Sequence, residues 1–270
     1  MTHQSRVIVT GGNGTVGRVA CEALRERGFV PIGWDRRFAP PDDEEAGNAF
    51  IERERPGAIM ALAVASQQTG IENEGPIVNV EWPTRLARIA RERGIPFLFT
   101  STVMVYTNNA TRPFTTDNEP DETEGYGAEK LRAERAIREA NPGAIIARIG
   151  WQIGLERGGN HMVEHIESRH EEGETIDAST EWLPACSFLP DTAEALVGLV
   201  ERNASGLHHV DGNEGWNFFQ IVTALNDSRG GRWNVNATDD FVYDQRLINE
   251  PRLAASIATR LPSLATLPIS

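Results

Sequence analysis

The chain has 270 residues, enough for one full α/β core and a small appended lobe. Its hydrophobic (40%) and charged (24%) fractions are ordinary for a globular enzyme, its longest apolar run (58–65) is far too short to span a bilayer, and a net charge of −13 argues against nucleic acid as a partner. Two cysteines, Cys21 and Cys186, make no disulfide framework, and the first residues lead into a strand with no signal-peptide core, so the expected compartment is a reducing cytoplasm, where Asn-x-Ser/Thr triplets such as Asn109-Ala-Thr111 carry no meaning.

In chain order, Arg6 to Thr10 predicts a short buried parallel strand. The cluster Gly11-Gly12-Asn13-Gly14-Thr15-Val16-Gly17 follows. A helical run from Arg18 to Arg27 comes next, with Val19, Ala20, Ala23 and Leu24 on one face and Gly28 closing it. Phe29 to Trp34 is a second strand, ending at Asp35. Strand, glycine turn, helix, strand and acid is the order that dinucleotide binding requires. Glycines allow a tight bend, close approach of a pyrophosphate and close helix–strand packing, and the helix N-terminus faces the phosphates. Asp35, 18 residues past Gly17, stands where an acid would hold the adenosine ribose hydroxyls. Gly11, Gly14, Thr15, Val16, Gly17, Asp35 and Arg36 are therefore candidate cofactor contacts. Asp35 favours NAD(H), while Arg36 and Arg37 are placed to cradle a 2′-phosphate, so the cofactor is NAD(H) or NADP(H) with a slight lean to NAD. The bland alternative is a glycine-rich turn in another α/β fold.

Lys130 is the single lysine among 26 basic residues, and it stands four residues after Tyr126 in Tyr126-Gly-Ala-Glu-Lys130. On a helix that spacing puts phenol and ammonium on one face. An ammonium is a compact point charge suited to sugar hydroxyls and to lowering a neighbouring phenol's pKa, which an arginine does less well. Chance is the competing explanation.

The glycines fit two spacings: Gly12, Gly14, Gly17 as G-x-G-x-x-G, or Gly11, Gly14, Gly17 as G-x-x-G-x-x-G. The second, with Tyr-x-x-x-Lys downstream, resembles the extended short-chain dehydrogenase/reductase family. Ile59 to Ala65 is similar to that family's fourth strand, passing under the nicotinamide with Leu62 and Ala63. Asn79-Val80 begins the helix that carries its structural asparagine, and Phe97 to Thr100 matches its fifth strand. Ser101-Thr102-Val-Met-Val105-Tyr106 matches its Ser/Thr-x-x-Val-Tyr segment, and Arg148-Ile149-Gly-Trp151-Gln-Ile-Gly154 its sixth strand and exit loop. Within the family the second half most resembles dTDP-4-dehydrorhamnose reductases, through Trp151, Gly206-Leu-His-His-Val-Asp-Gly212 and Leu247-Ile-Asn-Glu-Pro-Arg-Leu253.

The resemblance implies a doubly wound parallel Rossmann sheet (1–154) and a small C-terminal α/β substrate lobe (155–270) interleaved with late Rossmann elements. It implies Thr102, Tyr126 and Lys130 as the catalytic triad, with Leu62, Ala63, Asn79, Lys130 and Ile149 on the cofactor. Ser101, Trp151 and Asn160 fall on the substrate. The implied activity is NAD(P)-dependent hydride transfer at a keto or hydroxyl carbon of a nucleotide-sugar, run by a homodimer with no metal. Alternatives are an epimerase or sugar dehydrogenase of the same family, or a non-catalytic cofactor-binding regulatory subunit.

The chain departs from the family between Phe38 and Glu45, where a Pro/Asp/Glu loop replaces or abbreviates the third strand. Further on, His161 to Glu172, Asp191 to Arg202 and Phe218 to Leu225 read as helices, Trp182 to Phe188 as extended, and Leu155 to Asn160 as a loop over the substrate. His161-Met-Val-Glu164-His165 fits an inverted zinc-peptidase pattern but is expected to be a polar helix instead. Trp182 and Trp216 are expected to pack, although either could stack on a base. Leu86, Ile89, Ala90, Leu131 and Ile137 are offered as the apolar surface of a four-helix dimer interface, against the alternative that all of them pack on the sheet.

Overall fold

A computed structural model describes residues 5–65, 72–109 and 112–269. Residues 1–4 and the last two of the 109–111 triplet lie outside the described residues. The chain forms two compact units: Met1–Thr107, Pro120–Arg148 and Ala193–His208 in the first, and Asn108–Glu119, Ile149–Thr192 and His209–Ser270 in the second. A single cut at 154 assigns 108–119 and 149–154 differently from the backbone contacts, and 193–208 is a late stretch that falls with the first unit.

In the first unit β1 (Arg6–Thr10) is the strand next to one edge of the sheet. It pairs in parallel with β2 (Val30–Gly33) on one side and β3 (Ala58–Ala61) on the other, and β3 pairs in parallel with β4 (Phe97–Thr102). With β5 (Ile145–Ile149) and β10 (Gly206–Val210) the six-stranded order is β10-β5-β4-β3-β1-β2. Burial on both faces explains the unbroken apolar runs within β1 and β3. Ile8, Ile59, Phe97 and Phe99 face a core shared with α2 (Glu44–Glu54), α4 (Trp82–Arg93) and α5 (Gly125–Ala140). Val7 and Val9, also fully buried, alternate to the opposite face. α1 (Thr15–Glu26) ends at Arg27, whose guanidinium binds Glu194 and Glu201 of α7 (Leu189–Glu201).

Among the described residues no strand lies between Gly33 and Ala58. The third strand is missing there, as the Pro/Asp/Glu loop from Phe38 to Glu45 implies, and at the end of that loop begins α2. Asp43 caps it by accepting from the Ala46 N–H at 2.9 Å, and Phe50 and Ile51 bury its inner face. The segment expected to begin a helix at Asn79 starts earlier. α3 (Glu74–Pro76) runs through a π-helical turn, Ile77–Glu81, into α4.

The apolar dimer surface is corrected by burial. Leu86, Ile89, Ala90, Leu131 and Ile137 are each 6% exposed or less within one chain, because α4 and α5 pack on each other and on the sheet.

The second unit is built from three parallel strand pairs: β6 (Trp151–Ile153) with β9 (Cys186–Phe188), β7 (Ile176–Ser179) with β11 (Val235–Thr238), and β8 (Trp182–Leu183) with β12 (Tyr243–Asp244). Two-stranded pairs are not stable alone. Here they share a core with α6 (Met162–Glu171) and α8 (Phe218–Ser228), including Trp216 and Trp233. Asp211 ties the unit's segments together: Oδ1 accepts from the Cys186 and Asn213 N–H groups and Oδ2 from that of Leu247. That hub gives a physical reason for the two loose C-terminal motifs, since it joins one to the other.

Candidate active site

The glycine turn shows which spacing the fold demands. Gly11 has φ +67°, and a Cβ there would lie 2.8 Å from the backbone of Ala63. A Cβ on Gly17 would lie 2.0 Å from the Gly11 carbonyl oxygen, so no other residue lets α1 pack this closely. Gly14 donates its N–H to that same carbonyl at 2.8 Å, and a Cβ there would already be tight, at 3.1 Å. Gly12, by contrast, has room, its nearest neighbour 3.5 Å away. The demand falls on Gly11, Gly14 and Gly17. No side chain caps α1, so its N-terminal N–H groups at Thr15, Val16 and Gly17 form the end that suits a pyrophosphate. Thr10 holds the far side of the turn, its hydroxyl accepting from the N–H groups of Leu62 and Ala63 at 3.1 Å.

Asp35 follows β2 as expected, but it already has a partner. Arg37 donates to Oδ1 from its backbone N–H and Nε, both at 3.0 Å, and to Oδ2 from Nη2 at 2.7 Å. These bonds hold the carboxyl down at about 2. Arg36 pairs with Glu74 at 3.1 Å. Asn79 sits fully buried in the π-helical turn. Its amide oxygen accepts from the Ala65 N–H, and its amide nitrogen donates to the Ala65 carbonyl and to Glu129. Both donor hydrogens are thus spent on protein groups, so this side chain orders the segment after β3 rather than reaching outward.

Thr102 ends β4, and its hydroxyl accepts from the Met104 N–H at 3.2 Å, opening the 3₁₀ turn Val103–Val105. Its O–H remains a donor. Tyr126 and Lys130 lie one turn apart on α5, with the Lys130 ammonium 4.0 Å from the centroid of the Phe99 ring and 5.9 Å from that of Tyr126. Lys130 is 1% exposed, and burial lowers it to about 7 against the opposing pull of Glu134 and Glu129. Burial, helped by the charge of Glu129, pushes the Tyr126 phenol up to about 12.

Sequence reading missed two supports of this arrangement. A Cβ on Gly127 would lie 2.0 Å from the Met104 carbonyl oxygen, so this glycine sets α5 against the turn after Thr102. Glu134, another four residues along, is fully buried and bound by Arg148. The spacing of four from Lys130 was the available signal. Ser101 is a correction: its hydroxyl donates to Glu134 at 2.5 Å in the interior, so it is not free for a substrate.

Of the remaining candidates, Ile149 ends β5 half-buried, Trp151 opens β6, and Asn160 is exposed in the loop before α6. In that loop Arg157 is gripped by Glu164 and Glu171. The His161 ring accepts from the Glu164 N–H through Nδ1 and meets the Gly158 carbonyl through Nε2, so both nitrogens are engaged as a helix cap. Trp216 is buried as expected. Trp182 is half-buried, its ring centroid 4.7 Å from that of Phe218 and 6.1 Å from that of Trp151. These aromatics line a cavity of about 370 Å³ in the second unit, together with His165, Asp240 and Phe241.

A Rossmann-type unit presenting a Thr, Tyr and Lys together defines a class of dinucleotide-dependent proteins. Within it, the model of the RmlD substrate binding domain matches residues 5–245, and the chain belongs to that family. A probable low-salt glycan biosynthesis reductase of Haloferax volcanii is 26% identical over 75% of this chain and 73% of its own length. A dTDP-4-dehydrorhamnose reductase of Streptomyces griseus is 26% identical over 78% and 73%. Methionine adenosyltransferase 2 subunit beta of Xenopus laevis is 24% identical over 83% and 72%. In fold, the chain matches a dTDP-4-dehydrorhamnose reductase of Bacillus anthracis solved with NADP, with a TM-score of 0.81 and 19% identity over 96% of this chain and 98% of that one.

Proposed function

We propose that this protein is an NAD(P)-dependent oxidoreductase of the extended short-chain type, acting on a keto or hydroxyl carbon of a nucleotide-sugar. The observation that carries the reading is that Thr102, Tyr126 and Lys130 stand in the same unit as a turn whose Gly11, Gly14 and Gly17 leave little or no room for a side chain. The glycine cradle and the uncapped start of α1 fit a dinucleotide pyrophosphate, and Asp35 with Arg36 and Arg37 fits its adenosine ribose. When bound, the nicotinamide supplies or accepts the hydride. Tyr126 keeps its proton at neutral pH and donates it to the developing alkoxide. Thr102 donates to the same oxygen and fixes it. Lys130 orients the ribose and favours the phenolate after proton loss. The first unit then serves the cofactor and the second the sugar nucleotide, for which its aromatic-lined cavity is suited in size.

The test is a panel of nucleotide-sugars scored by rise in melting temperature, followed by turnover with the best binder. Tyr126→Phe is expected to cut turnover by a factor of about a hundred or more while cofactor binding survives. Rates near wild type would remove the assignment. On cofactor choice the lean remains to NAD(H) with NADP(H) accepted. Steady-state kinetics with both decides it, and a strong NADPH preference that disappears in Arg36→Ala would reverse the lean.

The resemblance to methionine adenosyltransferase 2 subunit beta favours a second reading, a cofactor-binding regulatory subunit. Tight dinucleotide binding with no turnover of any nucleotide-sugar would select it. Two free, buried cysteines support a reducing compartment, and among the described residues no helix is long and apolar enough to cross a membrane.

A further inference from the structure

Tyr126, Lys130 and Glu134 follow one another at intervals of four along α5, one stripe about 12 Å long. The first two belong to the proposed chemistry. The third is a carboxylate with no solvent exposure, bound from two strands at once. Arg148 on β5 grips it with Nε at 2.9 Å and Nη2 at 2.7 Å, and Ser101 on β4 donates to it at 2.5 Å. Arg148, itself 1% exposed, extends its remaining arm to the Tyr106 hydroxyl at 2.6 Å, beyond the turn that follows Thr102. The network thus touches the strand that ends in Thr102, the turn after it and the helix that carries Tyr126 and Lys130.

We propose that Glu134 and Arg148 are positioning residues for the hydride-transfer site: they lock α5 against β4 and β5 and place a fixed negative charge one turn from Lys130. The proposal rests on the oxidoreductase reading for its catalytic part. A buried ion pair is weak evidence of stabilisation, since well-packed apolar residues often do as well. What apolar residues cannot supply is a negative charge beside the lysine.

The surroundings of Lys130 make that charge matter. On α5 itself Glu129 and Glu134 flank it, and Tyr126 shares its face. β4 contributes the uncharged ring of Phe99, its centroid 4.0 Å from the ammonium. The π-helical turn contributes the neutral amide of Asn79, which binds Glu129. From β5 comes Arg148, held behind Glu134. The arginines of α4 are engaged elsewhere, Arg85 with the Pro41 carbonyl, Arg88 with Glu44 and Arg91 with the Ala140 carbonyl. Arg138, one turn further along α5, also meets Glu134 at 3.4 Å, so removing the Glu134 charge would leave both Arg148 and Arg138 unbalanced on the side of a buried ammonium.

Because Lys130 is the single lysine, protein grown on ε-¹³C-lysine gives one side-chain resonance, whose midpoint can be followed against pH without substrate. Glu134→Gln should lower that midpoint by at least about half a pH unit and cut kcat at least about tenfold, while KM changes less than about threefold. Glu134→Asp keeps the charge and shortens the reach. It should hold the midpoint near wild type yet still lose rate, and it serves if the glutamine variant does not fold. An unmoved midpoint in folded Glu134→Gln, with activity lost only in step with the folded fraction, would reduce the pair to a structural element and overturn the proposal. The titration involves no turnover, so failure of the oxidoreductase reading, shown by an active Tyr126→Phe, stays distinguishable from failure here.

Discussion

Burying an amine one turn from a phenol shifts the two in opposite directions, Lys130 down to about 7 and Tyr126 up to about 12. Both shifts favour the neutral form, as desolvation requires. For stability the sign is as follows. Between about pH 7 and the ordinary lysine value near 10.4, the unfolded chain holds the extra proton and the folded one does not. Stability from this group therefore rises with pH across that window, by at most about 1.4 kcal/mol per unit, and its penalty is fully present below pH 7. Lys130→Met should abolish the rise between pH 7 and 9.5 in cofactor-free protein and melt no lower than wild type at pH 7. Denaturation curves for both chains at several pH values check it, and parallel slopes would count against so low a lysine. At this scale the sequence was most informative where a residue type is rare or its spacing fixed, as with Lys130 and Gly17. It misled at Ser101, because the hydroxyl's direction depends on Glu134, 33 positions away.

Among the elements, β1, α1 and β2 were legible because their apolar periods and glycine punctuation agree with what tertiary packing demands. α2 was not: its opening, Pro40-Pro41-Asp42-Asp43-Glu44-Glu45, carries the residues of a loop, yet the same acids cap and start a helix. The π-helical turn at 77–81 was equally hidden, since an extra residue per turn leaves little trace in a short pattern. Gly127 gives the test at this scale. In Gly127→Ala the new methyl meets the Met104 carbonyl, a rigid backbone atom, so α5 must shift from the turn. A loss of about 2 kcal/mol or more is expected, with turnover falling further than the folded fraction explains. Chemical denaturation alongside kinetics separates the two effects.

At the scale of the whole molecule, burial argues against a dimer that pairs the apolar faces of α4 and α5. None of the large exposed hydrophobics among the described residues lies on α4 or α5; the outer face there carries Arg88, Arg132 and Arg135. Exposed ion pairs across such a face contribute little. Sedimentation at micromolar concentration should therefore give a single species near 29.7 kDa, and one of twice that mass would show that the homodimer expected from sequence forms through some other surface.

The exclusive use of arginine outside Lys130 has a practical corollary. Every guanidinium keeps its charge at any pH the fold survives and ignores reagents aimed at primary amines. The exterior described here offers no lysine for acylation, aldehyde fixation or coupling to a resin, so cross-linkers of that type would under-report any complex the protein enters. The one side-chain amine that such chemistry could reach lies at the heart of the proposed catalytic centre. Acylating it would remove charge from that centre, and the α-amino group is the one other primary amine the same reagent would modify.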